Sequence, residues 1–127
     1  MEFGCDVCFR GDAASVWKAW PFRTLAELVD ESHFSIQILA CRACGQRCAK
    51  VFTEFVDWSG GDDAQYWSVI PLTGDEADEL SKQGEAAEIK RIEAFSAGRP
   101  YLQADFPTGK PARIVWQQGP VWIARGH

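Results

Sequence analysis

The chain has 127 residues, of which 46% are hydrophobic and 24% charged, and its formal net charge is −5. This composition is typical of one folded domain and excludes disordered, collagenous and fibrous proteins. Residues 1–50 are neutral overall, residues 51–97 carry a net −8 and residues 98–127 a net +3. The acidic middle segment makes the chain a poor non-specific binder of nucleic acid and favours a basic partner.

The first elements along the chain are a predicted helix and a predicted strand. Residues 24–27, Thr-Leu-Ala-Glu, fit a capping box, and apolar residues at helical spacing surround them. This pattern predicts a short helix over 24–30. From residue 33 apolar and polar side chains alternate, which predicts a half-buried strand over 34–41 that runs directly into Cys41.

Two more strands are predicted towards the middle of the chain. Residues 51–58 are rich in β-branched and aromatic side chains, which favours a strand, and the glycines that follow end it. Residues 66–70 predict a third strand, which ends at Pro71.

A divided helix and two short strands are predicted in the second half. A second capping box over 73–76 indicates that a helix begins there, and Gly84 divides it. The second part carries an apolar stripe, formed by Ile89, Ile92 and Phe95. After a loop over 106–111, short strands are predicted at 113–116 and 121–124.

Neither a secretory signal nor a membrane span is expected. The first residues lack a basic segment followed by a long apolar run. The longest stretch with apolar character, 34–41, is far shorter than the ~20 residues of a transmembrane helix. We therefore expect a cytoplasmic protein. In that reducing compartment an odd set of five cysteines favours metal ligands or redox thiols over disulfides.

Four of the cysteines form two C-x-x-C pairs, Cys5 with Cys8 and Cys41 with Cys44. Two intervening residues allow a tight turn to direct both sulfurs at one ion, so each pair can cover one side of a tetrahedral zinc. Gly45 can adopt a positive φ, which would turn the chain into the next strand. The second pair is therefore expected at the tip of a hairpin.

This pattern, Cys5-Asp6-Val7-Cys8 with Cys41-Arg42-Ala43-Cys44-Gly45, resembles the zinc-ribbon family. The resemblance covers about residues 3–58 and implies two knuckles that hold one structural zinc. The first pair has no glycine directly after it, and the 32 residues between the pairs contain a predicted helix. A treble-clef-like or decorated ribbon therefore stays open.

Cys48 leaves other ligand sets open. It could replace Cys41 or Cys44, pair with Cys44 at C-x3-C spacing, or be a buried free thiol without a metal role. A zinc ion with four thiolates has no open position for water, so it would stabilise the fold and the chain is not expected to be an enzyme. A C-x-x-C redox protein is an alternative, although the thioredoxin-like context of strand, motif and helix is missing.

The sequence predicts an α+β fold, in which zinc-ribbon-like knuckles join a mainly antiparallel sheet packed against one or two helices. The whole chain, 1–127, is expected to form one domain. Its first part, 1–58, would be the zinc-knuckle half, and 59–127 would be the sheet and helix half.

The acidic segment leads to a function hypothesis. We expect a zinc-stabilised interaction module that binds a basic partner, as an immunity or inhibitor protein covers a toxin nuclease. The tryptophan beside the Gly-Gly loop is the candidate for an exposed anchor. The residues expected at this surface are Glu54, Asp57, Trp58, Asp62, Asp63, Asp75 and Glu76.

A nucleic-acid-associated zinc ribbon is the other alternative. Four cations near the cysteines could contact phosphates, namely Arg10, Arg42, Arg47 and Lys50. Cations beside a four-thiolate centre also offset its negative charge, which is the simpler interpretation.

Three segments support a second resemblance that extends over the whole chain. They are Cys41-Arg42-Ala43-Cys44-Gly45-Gln46, Val56-Asp57-Trp58 with Gly61-Asp62-Asp63, and Pro71-Leu72-Thr73. In these segments the chain resembles a group of short bacterial cytoplasmic proteins. This resemblance implies a bacterial protein and indicates no reaction.

Overall fold

The computed structural model describes residues 3–55, 64–87, 89–121 and 123. Within these residues six strands pair in chain order as one antiparallel sheet. The strands are β1 (Phe22–Glu31), β2 (Phe34–Cys41), β3 (Arg47–Phe55), β4 (Ala64–Pro71), β5 (Pro100–Phe106) and β6 (Arg113–Gln118). The helices are α1 (Ala13–Ala19), α2 (Gly74–Gln83) and α3 (Ile89–Ser96), with a 3-10 turn over Gly84–Ala86. The predicted α+β class with an antiparallel sheet is confirmed.

The predicted helix over 24–30 is wrong, because this segment belongs to β1. The pairing of β1 with β2 shifts register between Thr24 and Ala26 and again between Glu27 and Val29. Each bulge adds one residue, so Ala26 and Val29, which face the same side of the sheet, are three positions apart and not two. The bulged strand therefore imitates the apolar spacing of a helix.

The strands expected over 34–41 and 66–70 are present as β2 and β4. The strand expected over 51–58 begins earlier, at Arg47, and β3 extends to Phe55. The last three positions of that prediction lie outside the described residues.

The helical layer agrees with its sequence pattern. Thr73 caps α2, its side chain accepts from the backbone N–H of Glu76, and the Glu76 carboxylate accepts from the Thr73 backbone N–H. Gly84 ends α2 as predicted. Helices α2 and α3 pack on one face of the sheet through buried residues that include Ala77, Leu80 and Ile92.

The strand predicted over 121–124 is wrong where the structure describes it. Val121 and Ile123 are buried in the core but are not in a strand. The backbone N–H of Val121 donates to Ser96 Oγ at 2.6 Å, and that of Ile123 donates to Glu93 Oε2 at 3.3 Å. Side chains of α3 therefore satisfy the donors that a neighbouring strand would otherwise satisfy.

The N-terminal segment covers the opposite face of the sheet. Helix α1, which the sequence analysis does not predict, begins after Asp12, whose carboxylate accepts from the backbone N–H of Ser15. Phe9 packs against Phe22 and Trp116, with ring centroids 5.9 Å apart in each pair. The sheet is thus the middle one of three layers. Among the described residues no helix has the length and apolar character needed to cross a membrane.

Candidate metal centre

The two C-x-x-C pairs meet at one point beside the sheet. The sulfurs of Cys5, Cys8, Cys41 and Cys44 all lie within 4.8 Å of one another. The Sγ atoms of Cys5 and Cys8 are 3.7 Å apart, those of Cys8 and Cys44 also 3.7 Å, and those of Cys5 and Cys41 4.0 Å. A tetrahedral ion with metal–sulfur bonds of about 2.3 Å separates its sulfurs by about 3.8 Å. The four thiols therefore fit such an ion.

The second knuckle is the turn between β2 and β3. The backbone N–H of Gly45 donates to the carbonyl of Cys41 at 2.9 Å, and the N–H of Cys41 donates to the carbonyl of Gln46, also at 2.9 Å. Gly45 has a φ of +80°, which confirms its predicted role in the turn. The N–H of Ala43 donates to Cys41 Sγ at 3.4 Å, so the turn also directs a donor at a sulfur.

The first knuckle precedes α1 and is held mostly by its own backbone. The N–H groups of Cys8 and Arg10 donate to the carbonyl of Cys5 at 3.0 and 3.1 Å. Gly4 has a φ of +74°, and a Cβ atom there would lie 2.7 Å from Cys8 Sγ and 2.8 Å from Phe9 Cβ. The glycine that this knuckle needs therefore stands before its first cysteine and not directly after its second.

Cys48 lies outside the group of four. It is completely buried on β3, opposite Leu39 of β2 and Pro71 of β4, within the core cluster below the knuckles. Burial, with the neighbouring cysteines contributing, raises the pKa of the Cys48 thiol well above its usual range. In this position Cys48 acts as a small apolar side chain of the sheet.

The four clustered thiols differ in acidity. Burial raises the pKa of Cys8 to about 12 and also raises that of Cys44. At Cys5 burial also acts to raise the pKa. Hydrogen bonds from the Val7 backbone and from Cys44 and Cys8 outweigh it and lower the pKa to about 7. A bound divalent cation compensates the charge of thiolates, so metal binding at this centre would release protons.

Gln46 connects both knuckles to the junction of β4 and α2. Its Oε1 atom accepts from the backbone N–H of Gly4 at 2.9 Å. Its Nε2 atom donates to the carbonyl of Arg47 at 2.8 Å and to that of Leu72 at 2.7 Å. No spacing rule indicates this residue, because its partners lie 42 and 26 positions away in the chain.

The three described residues among those expected at a partner surface lie at two distant places. Glu54 on β3 is opposite Gln65, near the start of β4, whereas Asp75 and Glu76 follow the end of that strand. The six positions from Gln65 to Pro71 correspond to about 20 Å of strand. Four other expected residues, Asp57, Trp58, Asp62 and Asp63, lie outside the described residues.

Two of these acidic side chains already have partners inside the protein. Hydrogen bonds from Gln65 and His33 lower the pKa of Glu54, and its side chain is only 15% exposed. Glu76 forms a two-point ion pair with Arg99, with N–O distances of 2.6 and 2.7 Å. Asp75 is exposed at the surface.

The four cations near the cysteines do not share one role. Arg10 donates to the carbonyl of Gly4 at 2.6 Å and so supports the first knuckle, whereas Arg47 faces Asp78 at 3.6 Å. Burial lowers the pKa of Lys50, whose ammonium lies 5.8 Å from the ring centre of Trp20. Arg42 is exposed on the second knuckle.

Comparisons with known proteins do not indicate a function, so the interpretation depends on the geometry described above. No protein-family model, no curated protein and no solved structure matches the chain.

Proposed function

We propose that the chain is a non-catalytic zinc protein, in which Cys5, Cys8, Cys41 and Cys44 hold one structural zinc. The observation that carries the proposal is the spacing of the four sulfurs, which all lie within 4.8 Å of one another and are 3.7 to 4.0 Å apart in three pairs. Zinc is the metal for which four thiolates at tetrahedral spacing are typical. A ZnS4 centre has no open position for water or substrate, so its contribution is to stability.

Zinc at this place would fasten the N-terminal layer to the sheet. The first knuckle is followed by α1, and the second knuckle joins β2 to β3. One ion bound to both knuckles closes a loop of more than 30 residues, and the binding free energy of the metal then contributes to folding.

The metal content of matched cysteine variants tests this proposal. Native mass spectrometry of protein purified without chelators is expected to show one zinc per chain, and none in Cys44→Ser. Cys48→Ala is the matched control and is expected to retain the zinc, because Cys48 is not one of the four clustered thiols. Zinc retained by Cys44→Ser but lost by Cys48→Ala would contradict the ligand set. A metal-free chain with an oxidised cysteine pair would favour the redox alternative.

We further propose that the acidic surface of this module binds a basic protein, as an immunity or inhibitor protein does. Support comes from the net −8 of residues 51–97. Since Glu54 and Glu76 are engaged within the protein, we place the contact on Asp57, Trp58, Asp62, Asp63 and Asp75. A partner of opposite charge would associate faster at low salt.

The partner proposal is tested on protein purified gently from its own host. Native mass spectrometry is expected to show a basic protein bound in stoichiometric amount, and that partner's own activity is expected to fall on binding. The double variant Asp62→Asn with Asp63→Asn should slow association at low salt. The double variant Asp78→Asn with Glu85→Gln removes the same charge from exposed positions elsewhere and should slow it much less.

Two results would contradict this assignment. Equal effects of the two double variants would mean that total charge, and no local surface, governs association. Co-purification of RNA or DNA, with an affinity that falls steeply with salt, would instead favour the nucleic-acid alternative.

A further inference from the structure

A cavity of about 350 Å³ lies on the sheet face that α2 and α3 share, away from the cysteines. Its polar wall is a row across three neighbouring strands. Thr53 of β3 is opposite Tyr66 of β4, and Tyr66 is opposite Asp105 of β5. Because side chains alternate between the faces of a sheet, these three point to the same side.

A second polar row, next to the first, is held by hydrogen bonds. Ser68 Oγ donates to Gln103 Oε1 at 2.5 Å, and Gln103 Nε2 donates to Asp105 Oδ1 at 2.7 Å. Ser68 is 5% and Gln103 9% exposed, so both lie inside the protein. The chain of hydrogen bonds fixes the Gln103 amide and leaves Asp105 as its final acceptor.

Three oxygen atoms on this wall remain available. Among the described residues, no hydrogen bond is formed by the hydroxyls of Thr53 and Tyr66 or by the second carboxylate oxygen of Asp105. Thr53 is 3% exposed as a residue, but its hydroxyl is not fully enclosed, since the fully buried unpaired side-chain atom of the described residues is Gln83 Oε1. The hydroxyl therefore keeps its accessible surface towards the cavity. The described residues also contain no ion pair of Asp105. Arg113 on β6 is its cross-strand neighbour, but it is exposed and forms no ion pair with it.

The other described residues that line the cavity are apolar, and one of them is aromatic. Phe55 and Tyr66 meet edge to face with ring centroids 5.8 Å apart, and Val51 and Ile123 also line the cavity. The volume is at the lower end of the range for small-molecule sites, which are mostly apolar with a few polar groups that orient the ligand. An uncompensated carboxylate next to hydroxyl oxygens favours a ligand that donates hydrogen bonds and is positively charged.

We propose that this cavity binds a small organic cation, with an amine or amidine group directed at Asp105 and a planar apolar body against Phe55 and Tyr66. The site is separate from the cysteine cluster, since Cys41 and Cys48 belong to the core cluster on the other side of the sheet. Binding here would therefore not depend on the proposed zinc and partner functions.

Probes that differ only in charge test the proposal on the intact protein. Benzamidine and benzylamine supply the cation, and benzoate and benzyl alcohol supply an anion and a neutral group on the same phenyl ring. Titrations followed by 1H–15N NMR are expected to show saturable shifts on β3, β4 and β5 for at least one cation, and none for benzoate. If neither cation saturates, or if benzoate binds as well as the cations, the proposal is overturned.

Two variants locate the binding site. Asp105→Asn keeps an acceptor for Gln103 and removes the charge, so it should weaken cation binding at least tenfold. Thr53→Val keeps the shape of a buried side chain and should weaken it by a smaller factor. Asp78→Asn, an exposed position on α2, is the control and should change nothing. Unchanged affinity in both cavity variants, with native-like spectra, would overturn the assignment.

Discussion

At the scale of single residues, Gly4 is the most constrained glycine of the two knuckles. Its positive φ disfavours any side chain, and an added Cβ would collide with Cys8 Sγ and Phe9 Cβ. Gly45 shares the positive φ, but an added Cβ there would meet no atom within 4 Å. The two knuckles therefore tolerate substitution differently.

We expect Gly4→Ala to lower the free energy of unfolding by roughly 2 kcal/mol or more, because strain and a steric clash act together. Gly45→Ala should cost about 1 kcal/mol, from backbone strain alone. Gly74→Ala is the control, since this position on α2 has neither a positive φ nor a close neighbour. Urea unfolding of the zinc-loaded proteins measures all three. Equal values for Gly4→Ala and Gly74→Ala would show that the first knuckle is not built as described.

The ion pair of Glu76 and Arg99 predicts a pH dependence. Partial burial acts to raise the pKa of Glu76, but hydrogen bonds from Arg99 and from the backbone N–H of Thr73 outweigh it, and the pKa lies below its ordinary 4.5. Folding therefore favours the ionised carboxylate. The stabilisation is fully present above pH 4.5 and is lost as the pH falls through the lower folded-state value.

Glu76→Gln should accordingly be less stable than the wild type by about 1–3 kcal/mol at pH 7. This difference should shrink when unfolding is measured at successively lower pH below about 5. Using the difference between the two proteins cancels the loss of the proposed metal, which acid would cause in both. Asp75→Asn, at the exposed neighbouring position, should show a small difference that stays flat. A difference for Glu76→Gln that grows towards low pH would contradict the assignment.

At the scale of elements, regular patterns were predictable and irregular ones were not. Residues 34–38 of β2 alternate between apolar and polar side chains and α2 has a complete capping box, so local residues were sufficient for both. β5 was missed because Leu102 and Ala104 are buried on one face while Tyr101 and Gln103 are buried on the other. A strand buried on both faces shows no alternation of apolar and polar residues.

The difference between local and non-local patterns also explains why the candidate metal centre was predictable and the cavity was not. A C-x-x-C pair is a local pattern with a known chemical purpose, so spacing predicted the cluster of Cys5, Cys8, Cys41 and Cys44 and left only Cys48 open as a substitute. The polar row of Thr53, Tyr66 and Asp105 comes from three strands, of which β5 was not predicted. Only strand register places these residues side by side.

At the scale of the whole molecule, different interactions hold the two outer layers to the sheet. The helical layer packs through aliphatic residues such as Leu80 and Ile92, which are completely buried. The N-terminal layer packs through α1 and aromatic contacts, among them Trp17 with Trp67 at 5.4 Å, and through the cysteines. Its attachment should therefore depend on the metal more strongly than that of the helical layer.

A zinc chelator such as TPEN is expected to raise amide hydrogen exchange in residues 3–20 at least tenfold. The central strands β3 and β4 should retain most of their protection, because neighbours on both sides satisfy their backbone groups. Helices α2 and α3 serve as the internal control. A uniform loss of protection across all three layers would mean that the metal supports the entire fold, and the layered description would be wrong.

The two bulges of β1 also affect how the protein behaves at high concentration. β1 is at an edge of the sheet, and among the described residues no strand pairs with its outer side. A straight ten-residue edge would offer a ladder of free N–H and C=O groups to a second molecule, which is a route to aggregation. The bulges interrupt that ladder. Exposed charged side chains also lie along the strand, at Arg23, Glu27, Asp30 and Glu31. The irregularity that imitates a helix in the sequence thus also protects the protein against edge-to-edge polymerisation.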